Sequence, residues 1–351
     1  MNGNSMGRPL RDLAVVIGRF QPVHNGHAAL LAQALDRAEK VVVVLGSSFH
    51  ARSPKNPFTW QERAAMLGLC LNDEERRRVS FVPMRDYYND ERWVAAVEKD
   101  VAKAAPGARS IALVGHFKDA TSNYLNAFPR WELIAVPRTG DVDATAVRRI
   151  LFEPEAQEVS LAVLSSVVPQ AILQYLRAWT KLPGYPPLVD EHAKVAADKA
   201  MWKSAPYPPV FVTVDAVVRA AGSVLLVKRA NHPGRNLWAL PGGFLDQRES
   251  LLQAAMRELR EETALGIAEP SLAAALKAVA VFDHPHRSLR GRTITHAHFF
   301  DLGDARLPEV VGGDDASHAE WIPVDALRAM EDQFFEDHFN ILDHFLGLTG
   351  A

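Results

Sequence analysis

The first half of the chain alternates short apolar runs with amphipathic segments. The runs predict strands at 13–17, 41–45, 79–82, 111–114 and 133–136, and the segments predict helices at 28–38, 59–71, 91–104 and 144–152. This alternation is typical of a parallel sheet covered by helices on both faces, which binds ligands at the carboxyl ends of its strands. We therefore predict an α/β domain with Gly18, Gly46 and Gly115 at the binding edge, because each follows a strand.

The second half carries a different order of elements. A predicted helix at 168–180 is broken by the proline-rich residues 182–187, a short helix follows at 189–203, and a second proline-rich stretch lies at 205–209. We place a domain boundary near residue 184, which predicts domains at 1–184 and 210–351 joined by a stiff linker at 185–209. Strands at 210–218, 223–227, 278–282 and 293–300, with helices at 324–330 and 334–346, fit an α/β/α sandwich with a mixed sheet.

Composition narrows the class of protein. The 351 residues are 48% hydrophobic and 23% charged, and the net charge of -3 gives no reason to expect nucleic-acid binding. The longest apolar runs have the length of buried strands, so we expect no membrane span, and the polar first residues predict no signal peptide. The only cysteine, Cys70, excludes an internal disulfide, and we expect a cytoplasmic protein.

Residues 241–265 hold the densest group of chemically informative residues. The sequence Pro241-Gly242-Gly243 predicts a chain reversal, and Ser250 with Gln253 has the spacing of a capping box for a helix that runs to about Thr263. On that helix Glu258, Glu261 and Glu262 share one arc beside an apolar stripe. Three carboxylates at this spacing suit Mg²⁺ or Mn²⁺, although a solvated acidic helix face is the alternative.

The fixed offsets favour the metal interpretation. Gly243, Glu249 and the run Arg-Glu-x-x-x-Glu-Glu from Arg257 resemble the Nudix box of hydrolases that cleave nucleoside diphosphates linked to another moiety, except that Ala264 replaces the family's glycine. The resemblance implies that Mg²⁺ joins Glu258, Glu262 and Glu261 to a pyrophosphate. It also implies a general base or further ligand from a later loop, for which the candidates are Asp314, Asp315 and Glu320.

Basic residues near this box are the candidates for substrate binding. Arg257 could hold Glu261, four residues away, or could pair with Glu249. Arg287, Arg290 and Arg292 could bind the phosphates or ribose of ADP-ribose, or could be exposed loop charges.

The first half carries a motif of its own at the first strand–helix junction. Gly18-Arg19-Phe20-Gln21-Pro22 leads into His24 and His27, which would stand three residues apart in the first helical turn and could donate hydrogen bonds to a polyphosphate. Their alternative roles are helix caps or surface groups. The run resembles the signature of the nucleotidyltransferase superfamily, which implies a Rossmann-like domain that binds ATP phosphates through Gly18, Arg19 and Phe20.

A second segment resembles another signature of that superfamily. Thr145 and Arg148 fall in the first turn of the helix after Asp143, where hydroxyl, guanidinium and helix dipole would converge on an anion. The superfamily's leading hydroxyl is absent, because Asp143 and Ala144 precede Thr145.

Three further segments resemble nicotinamide-nucleotide adenylyltransferases. They begin at Asn56, Arg85 and Gly115. Trp93 could stack on a pyridinium ring or could anchor its helix in the core, and Asp86 could bind a ribose or an amide, or could cap the following turn. The candidate phosphate ligands here are Arg52, Lys55 and Lys118.

Together the two resemblances, which cover roughly residues 12–345, match bifunctional nicotinamide-nucleotide adenylyltransferase/Nudix proteins. They imply in-line attack of nicotinamide mononucleotide on the α-phosphorus of ATP, without a covalent enzyme intermediate, and hydrolysis of ADP-ribose to AMP and ribose 5-phosphate. One alternative is an adenylyltransferase for flavin mononucleotide or phosphopantetheine joined to a dinucleotide pyrophosphatase. Another is a second half that senses ADP-ribose without hydrolysing it. The chain could also form a homo-oligomer, on which the sequence is silent.

Overall fold

The computed structural model describes residues 10–117, 120–137, 143–152, 157–304 and 306–350. Its contacts divide the chain into two compact units, Met1–Val189 and Asp190–Ala351. Within the described ranges no helix is long and apolar enough to span a membrane.

The first unit is built on a five-stranded parallel sheet in the order β3-β2-β1-β4-β5. The strands are β1 (Arg11–Gly18), β2 (Ala38–Leu45), β3 (Val79–Pro83), β4 (Ile111–Gly115) and β5 (Glu132–Ala135). The helices are α1 (Asn25–Leu35), α2 (Trp60–Leu69), α3 (Asp73–Arg78), α4 (Asp90–Ala104), a 3-10 helix (Ala120–Asn126), α5 (Ala144–Leu151), α6 (Gln157–Leu164) and α7 (Gln170–Trp179). This confirms the predicted parallel α/β class.

The strand order of this sheet fixes where a ligand can bind. The chain runs outward from β1 to β3 and then returns to β4 on the other side of β1, so the order reverses between β1 and β4. At such a point the loops leaving the two strands diverge and open a crevice at their carboxyl ends. Apolar residues fill both faces of the sheet, with Val16 and Val43 in one layer and Val15 and Val42 in the other.

The second unit contains a mixed sheet in the order β10-β11-β6-β7-β12, with two short strands attached at β6 and β7. The strands are β6 (Val210–Ala220), β7 (Ser223–Arg229), β8 (Trp238–Ala239), β9 (Gly242–Phe244), β10 (Leu276–Phe282), β11 (Arg292–Asp301) and β12 (Ala316–Pro323). The helices are α8 (Tyr185–Met201), α9 (Leu251–Thr263), α10 (Glu269–Ala274), a 3-10 helix (Val324–Gln333) and α11 (His338–Leu346). This confirms the mixed sheet that the sequence predicted for the second half of the chain.

Two local predictions were wrong. Residues 182–187 were predicted to break the preceding helix, and α7 does end at Trp179, but the next helix, predicted from residue 189, begins at Tyr185, so Pro186 and Pro187 lie in its first turn. Proline is tolerated there because the first N–H groups of a helix have no intrahelical partner. The run Pro241-Gly242-Gly243 is not a reversal either, since Gly242 and Gly243 belong to β9 and pair with β6.

Candidate active sites in the two units

The loop after β1 shapes the crevice of the first unit. Phe20 takes a left-handed backbone conformation with φ 52, and its buried ring lies against Gly18. A Cβ at Gly18 would stand 3.0 Å from that ring. Glycine at this position therefore leaves room for the Phe20 ring to pack closely against the backbone.

His24 and His27 form the cap of α1. The Nδ1 atom of His24 accepts a hydrogen bond from the N–H of Gly26 (3.1 Å), and the N–H of His24 donates to Nδ1 of His27 (3.3 Å). The rings stack with centroids 3.7 Å apart. Because both Nδ1 atoms accept backbone hydrogen bonds, a neutral ring carries its proton on Nε2. The capping alternative is thus correct, and both rings also line the cavity described next.

A cavity of about 190 Å³ opens beside these rings. The predicted residues on its wall are Arg19, Phe20, His24, His27, Thr145 and Arg148. Gly18 lies at the end of β1, next to this wall. Burial lowers the pKa of His27 well below 6.5, and the neighbouring imidazoles of His24 and His116 act in the same direction, so His27 is neutral. Lys118 lies outside the described residues.

Arg148 joins the two signature segments. Its side chain is 9% exposed and donates to the carbonyl of Gln21 (2.7 Å) and to the hydroxyl of Thr145 (3.1 Å). Burial lowers the pKa of Arg148 to about 10, and the positive charge of Arg19 acts in the same direction. The group still carries its charge at neutral pH, and the crevice therefore presents two cationic side chains, Arg19 and Arg148, beside the neutral imidazole of His27.

Arg63 is a residue whose importance the sequence did not reveal. Its side chain has no exposed surface and donates to the carbonyls of Arg19 (2.6 Å) and Gly46 (2.7 Å) and to the hydroxyl of Ser48 (3.2 Å). These acceptors lie on the loops after β1 and β2. Arg63 therefore fixes the two loops relative to each other, and only a Glu-Arg pair at a helix start hinted at it.

The residues predicted for the mononucleotide lie away from this cavity wall. Asp86 accepts hydrogen bonds from Ser47 (2.6 Å) and contacts Nε2 of His50 (3.1 Å). Burial would raise the pKa of Asp86, but these contacts outweigh it and lower the value to about 2. The N-cap of the following helix, α4, is Asn89.

Trp93 is partly buried, and its ring meets Tyr124 and Phe128 edge-on at 5.9 and 5.7 Å. These contacts are those of a helix anchor, the alternative proposed for Trp93. Arg52 is held by a bidentate contact to Glu62 (2.6 and 3.0 Å), where it stabilises the capping box of α2.

In the second unit, α9 carries the predicted carboxylates. The capping box of Ser250 and Gln253 begins the helix, which ends at Thr263 as expected. Glu258 and Glu262, one helical turn apart, are 9% and 4% exposed and line a second cavity of about 250 Å³. Glu261 is on the outer side, with a side chain 46% exposed, and does not line the cavity.

Two glycines of β9 allow α9 to approach the sheet. A Cβ at Gly242 would lie 2.2 Å from the carbonyl oxygen of Val214, and one at Gly243 would lie 2.4 Å from Oε1 of Glu258. The N–H of Gly242 donates to Oε2 of Glu262 (3.0 Å). The glycines therefore serve close packing and carboxylate binding rather than a turn.

Arg257 links three carboxylates on the rim of the cavity. It forms a bidentate contact with Glu249 (2.7 and 3.0 Å) and also reaches Glu258 (2.8 Å) and Glu261 (3.0 Å). The two alternatives proposed for Arg257 are therefore both realised. Arg257 lowers the pKa of Glu249, whereas burial raises the pKa of Glu258 despite the same guanidinium.

Glu262 is the most strongly perturbed acid of the site. Burial raises the pKa of Glu262 to about 8, and the negative charges of Glu258 and Asp315 add to the effect against the N–H of Gly242 and the charge of Arg229. A buried carboxyl among other carboxylates is stabilised by a bound cation.

The loop before β12 brings further acids to α9. The N–H of Val311 donates to the carbonyl of Thr263 (2.9 Å) and the N–H of Gly313 to that of Glu262 (3.2 Å), which satisfies the last turn of the helix. The loop thereby delivers Asp314 and Asp315 to the cavity. Glu320, the third candidate, lies on β12, is exposed and contacts His318 instead.

The three arginines predicted to bind substrate differ in their position relative to the cavity. Arg287 is 5% exposed and forms a bidentate contact with buried Asp337 (2.8 and 2.9 Å), so it is not an exposed loop charge. Arg290 also lines the cavity, with its guanidinium carbon 4.9 Å from the centre of the Phe244 ring. Arg292 does not line the cavity and donates to the carbonyl of Asp283.

The donor set fits a divalent cation. Among the described residues no group of three or more His, Cys, Asp or Glu side chains is arranged as a preformed metal site. Arg257 donates a hydrogen bond to Glu258, and Glu261 does not line the cavity. Glu258 and Glu262 nevertheless share a cavity with Asp314 and Asp315. Hard carboxylate oxygens that repel one another are the ligands that Mg²⁺ and Mn²⁺ prefer.

The fold and these sites define the class of protein. A cytidylyltransferase-like family model matches residues 15–150, and a NUDIX domain model matches residues 209–345. The chain is 33% identical to the nicotinamide/nicotinic acid mononucleotide adenylyltransferase of Acinetobacter baylyi over 169 residues, which are 86% of that protein and 48% of this chain. It is 32% identical to the ADP-ribose pyrophosphatase of Methanocaldococcus jannaschii over 135 residues, which are 72% of that protein and 38% of this chain.

Solved structures span both units. The bifunctional NMN adenylyltransferase/ADP ribose pyrophosphatase of Francisella tularensis, crystallised with AMP and a manganese ion, superposes with a TM-score of 0.87 at 36% identity. The alignment covers 96% of this chain and 99% of that one. The chain belongs to the family of bifunctional NMN adenylyltransferase/ADP-ribose pyrophosphatases.

Proposed function

We propose that the first unit transfers the adenylyl group of ATP to nicotinamide mononucleotide, which yields NAD⁺ and pyrophosphate, and that the second hydrolyses ADP-ribose to AMP and ribose 5-phosphate. The observation that carries the proposal is the full-length similarity to one bifunctional protein. The two cavities, each within its own unit, are consistent with two separate reactions.

In the first cavity the residues act by position and charge. His24 and His27 donate hydrogen bonds to the bound triphosphate, Arg148 neutralises charge that develops on the leaving pyrophosphate, and Arg19 adds a second cation to the cavity wall. Arg63 and Gln21 hold the loops through hydrogen bonds to backbone carbonyls and to Arg148. Asp86, Trp93 and Lys118 stay predicted ligands of the substrates, and Mg²⁺ would shield the phosphates.

In the second cavity Glu258 and Glu262 would hold Mg²⁺, with Mn²⁺ as a substitute, and Glu261 would join them if Arg257 released it. The metal, when bound, polarises the pyrophosphate and lowers the pKa of a water molecule. Asp314 and Asp315 are the candidate bases, since both line the cavity. Arg287 and Arg290 would contact the phosphates or the ribose, whereas Arg292, which does not line the cavity, stays a predicted ligand only.

An acceptor panel tests the first activity. Purified protein is incubated with ATP, Mg²⁺ and, in separate reactions, nicotinamide mononucleotide, nicotinate mononucleotide, flavin mononucleotide and phosphopantetheine, and pyrophosphate release is measured. We expect turnover with a pyridine mononucleotide. Turnover with flavin mononucleotide or phosphopantetheine alone would refute the assignment.

ADP-ribose hydrolysis tests the second activity against the sensor alternative. We expect wild-type protein to release AMP and Glu262→Gln to lose at least about 10²-fold in rate. Tight binding of ADP-ribose by the wild type without release of AMP would favour the sensor.

The domain limits 1–184, 185–209 and 210–351 also stay a prediction, although the contacts divide the chain a little later, between Val189 and Asp190.

A further inference from the structure

A buried glutamate on α8 makes specific contacts with the second unit. Glu191 is only 7% exposed, and its Oε2 accepts a hydrogen bond from the N–H of Gly234 (3.1 Å). The same oxygen lies 3.5 Å from Nδ1 of His232. A buried carboxylate is costly unless it is paired, so these contacts point to a defined role.

The segment that Glu191 holds is a short loop after β7. Gly234 has a positive φ of 78, and a Cβ there would lie 2.1 Å from the ring of Phe335. The carbonyl of Pro233 accepts a hydrogen bond from Nε of Arg229 (2.8 Å). The loop thus lies between α8 on one side and Arg229 on the other.

Arg229 is directed into the hydrolase cavity. Its guanidinium carbon stands 4.3 Å from the centre of the Phe335 ring, and the residue lines the same cavity as Glu258 and Glu262. Its charge is close enough to lower the pKa of Glu262 against the effect of burial. The Phe335 ring and the carbonyl of Pro233 both contact the guanidinium and so hold it at the wall of this cavity.

We propose that Arg229 binds the diphosphate of the substrate and that Glu191 is a positioning residue, which holds the loop 232–234 and thereby keeps Arg229 directed into the cavity. The inference rests on the proposed hydrolysis of ADP-ribose. It assigns to α8 a functional part in the second unit, although the helix begins in residues of the first unit.

A double-mutant cycle tests this chain of contacts in the full-length protein. We expect Arg229→Ala to lower kcat/KM for ADP-ribose about 10- to 100-fold, since it removes charge-assisted hydrogen bonds to a phosphate. We expect Glu191→Ala to raise KM about tenfold with a smaller change in kcat. Because Glu191 acts through Arg229, the double variant should be no worse than Arg229→Ala alone. Losses that multiply would refute the positioning role.

Rescue and control variants separate position from stability. In Glu191→Gln an amide oxygen at the position of Oε2 can still accept the N–H of Gly234 and contact Nδ1 of His232, so near wild-type kinetics are expected. Glu191→Asp draws the carboxylate back by one methylene and should give an intermediate KM. The matched control is Asp190→Ala, which removes an exposed acid from the neighbouring position and should change nothing. Adenylyl transfer in the same samples reports on the first unit.

Binding of ADP-ribose without metal, measured by calorimetry, separates failure of the inference from failure of the proposed function. Weaker binding in Glu191→Ala and Arg229→Ala supports the inference even if the wild type does not hydrolyse ADP-ribose. Wild-type hydrolysis with Glu191→Ala folded and kinetically unchanged overturns the inference alone. A wild type that neither binds nor hydrolyses ADP-ribose overturns both.

Discussion

Ala264 takes a backbone conformation that costs an alanine free energy. It follows the last residue of α9 with φ 49 and ψ 27, which is the left-handed region that glycine adopts without a Cβ penalty. The sequence raised a doubt about this helix end, because the related hydrolases have glycine there. The helix ends in the glycine-like geometry nonetheless, and the alanine carries the strain.

We therefore expect Ala264→Gly to stabilise the protein by about 0.5–1 kcal/mol. Relief of the left-handed strain, about 1–2 kcal/mol, exceeds the entropy that glycine adds to the unfolded chain. Urea unfolding of the full chain measures the change. Ala197→Gly, in the middle of α8, is the control and should destabilise by about 1 kcal/mol. A less stable Ala264→Gly would contradict the account.

The raised pKa of Glu262 also has a consequence for stability. In the fold the pKa of Glu262 is about 8 rather than 4.5, so the folded state keeps a proton that the unfolded chain releases. This stabilisation is complete below about pH 4.5 and is lost as the pH rises through about 8. Without metal, the wild type should therefore lose stability over this window.

Glu262→Gln removes that dependence, because an amide imitates the protonated acid and still accepts the N–H of Gly242. We expect the stability of the variant relative to wild type to grow by about 1–3 kcal/mol between pH 5 and 9, measured by thermal unfolding in chelator. The exposed Glu309 provides the control, since Glu309→Gln should show no such trend. A flat difference for Glu262→Gln would show that its carboxyl is ionised in the fold.

At the scale of elements, one side chain at the start of α1, that of His24, serves both the helix and the cavity. His24 caps the helix and its ring also lines the cavity. Asparagine is a strong N-cap residue but offers no imidazole, whereas alanine offers neither. The two substitutions therefore separate helix stability from chemistry.

We expect His24→Asn to keep the wild-type unfolding midpoint and to lose about 10²-fold or more in adenylyl transfer. His24→Ala should lose the same activity and about 1 kcal/mol of stability. Hydrolysis of ADP-ribose by the same samples is the internal control. Full transfer activity in His24→Asn would remove His24 from the catalytic residues.

Elements with strong local signals were predictable from the sequence, and those without them were not. The capping box and apolar stripe of α9 fix both of its ends. Helix α3 was missed because its six residues are all charged, although Asn72 and Glu75 form a capping box that would have revealed it. The strands β8 and β9 were missed because they are two and three residues long.

The site was predictable only as far as its residues lie close in sequence. His24 with His27 and Glu258 with Glu262 share a helical turn, so spacing brings them together. Arg287 pairs with Asp337 from 50 residues away, and such a partner depends on the folded sheet. The same applies to Arg63, whose acceptors lie on two different loops.

At the scale of the whole molecule, the two reactions should be separable by single substitutions. Each cavity is lined by residues of one unit. We expect His24→Asn to retain hydrolysis and Glu262→Gln to retain transfer, each within about twofold of wild type, in assays of both activities on each purified variant. Loss of both activities in either folded variant would indicate that the units share a step.

The pKa shifts of His27 and Glu262 make the thermal stability of the two units depend on pH in opposite ways. Burial lowers the pKa of His27 well below 6.5, so the folded first unit keeps the ring neutral. This contribution to the stability of the first unit is present above about pH 6.5 and is lost as the pH falls below that value. The raised pKa of Glu262 has the opposite effect, because its contribution to the stability of the second unit is present at low pH and is lost as the pH rises through about 8. Acidification of the metal-free protein from about pH 8 to 5 should therefore lower the melting temperature of the first unit and raise that of the second. The pH then decides which unit unfolds first in calorimetry.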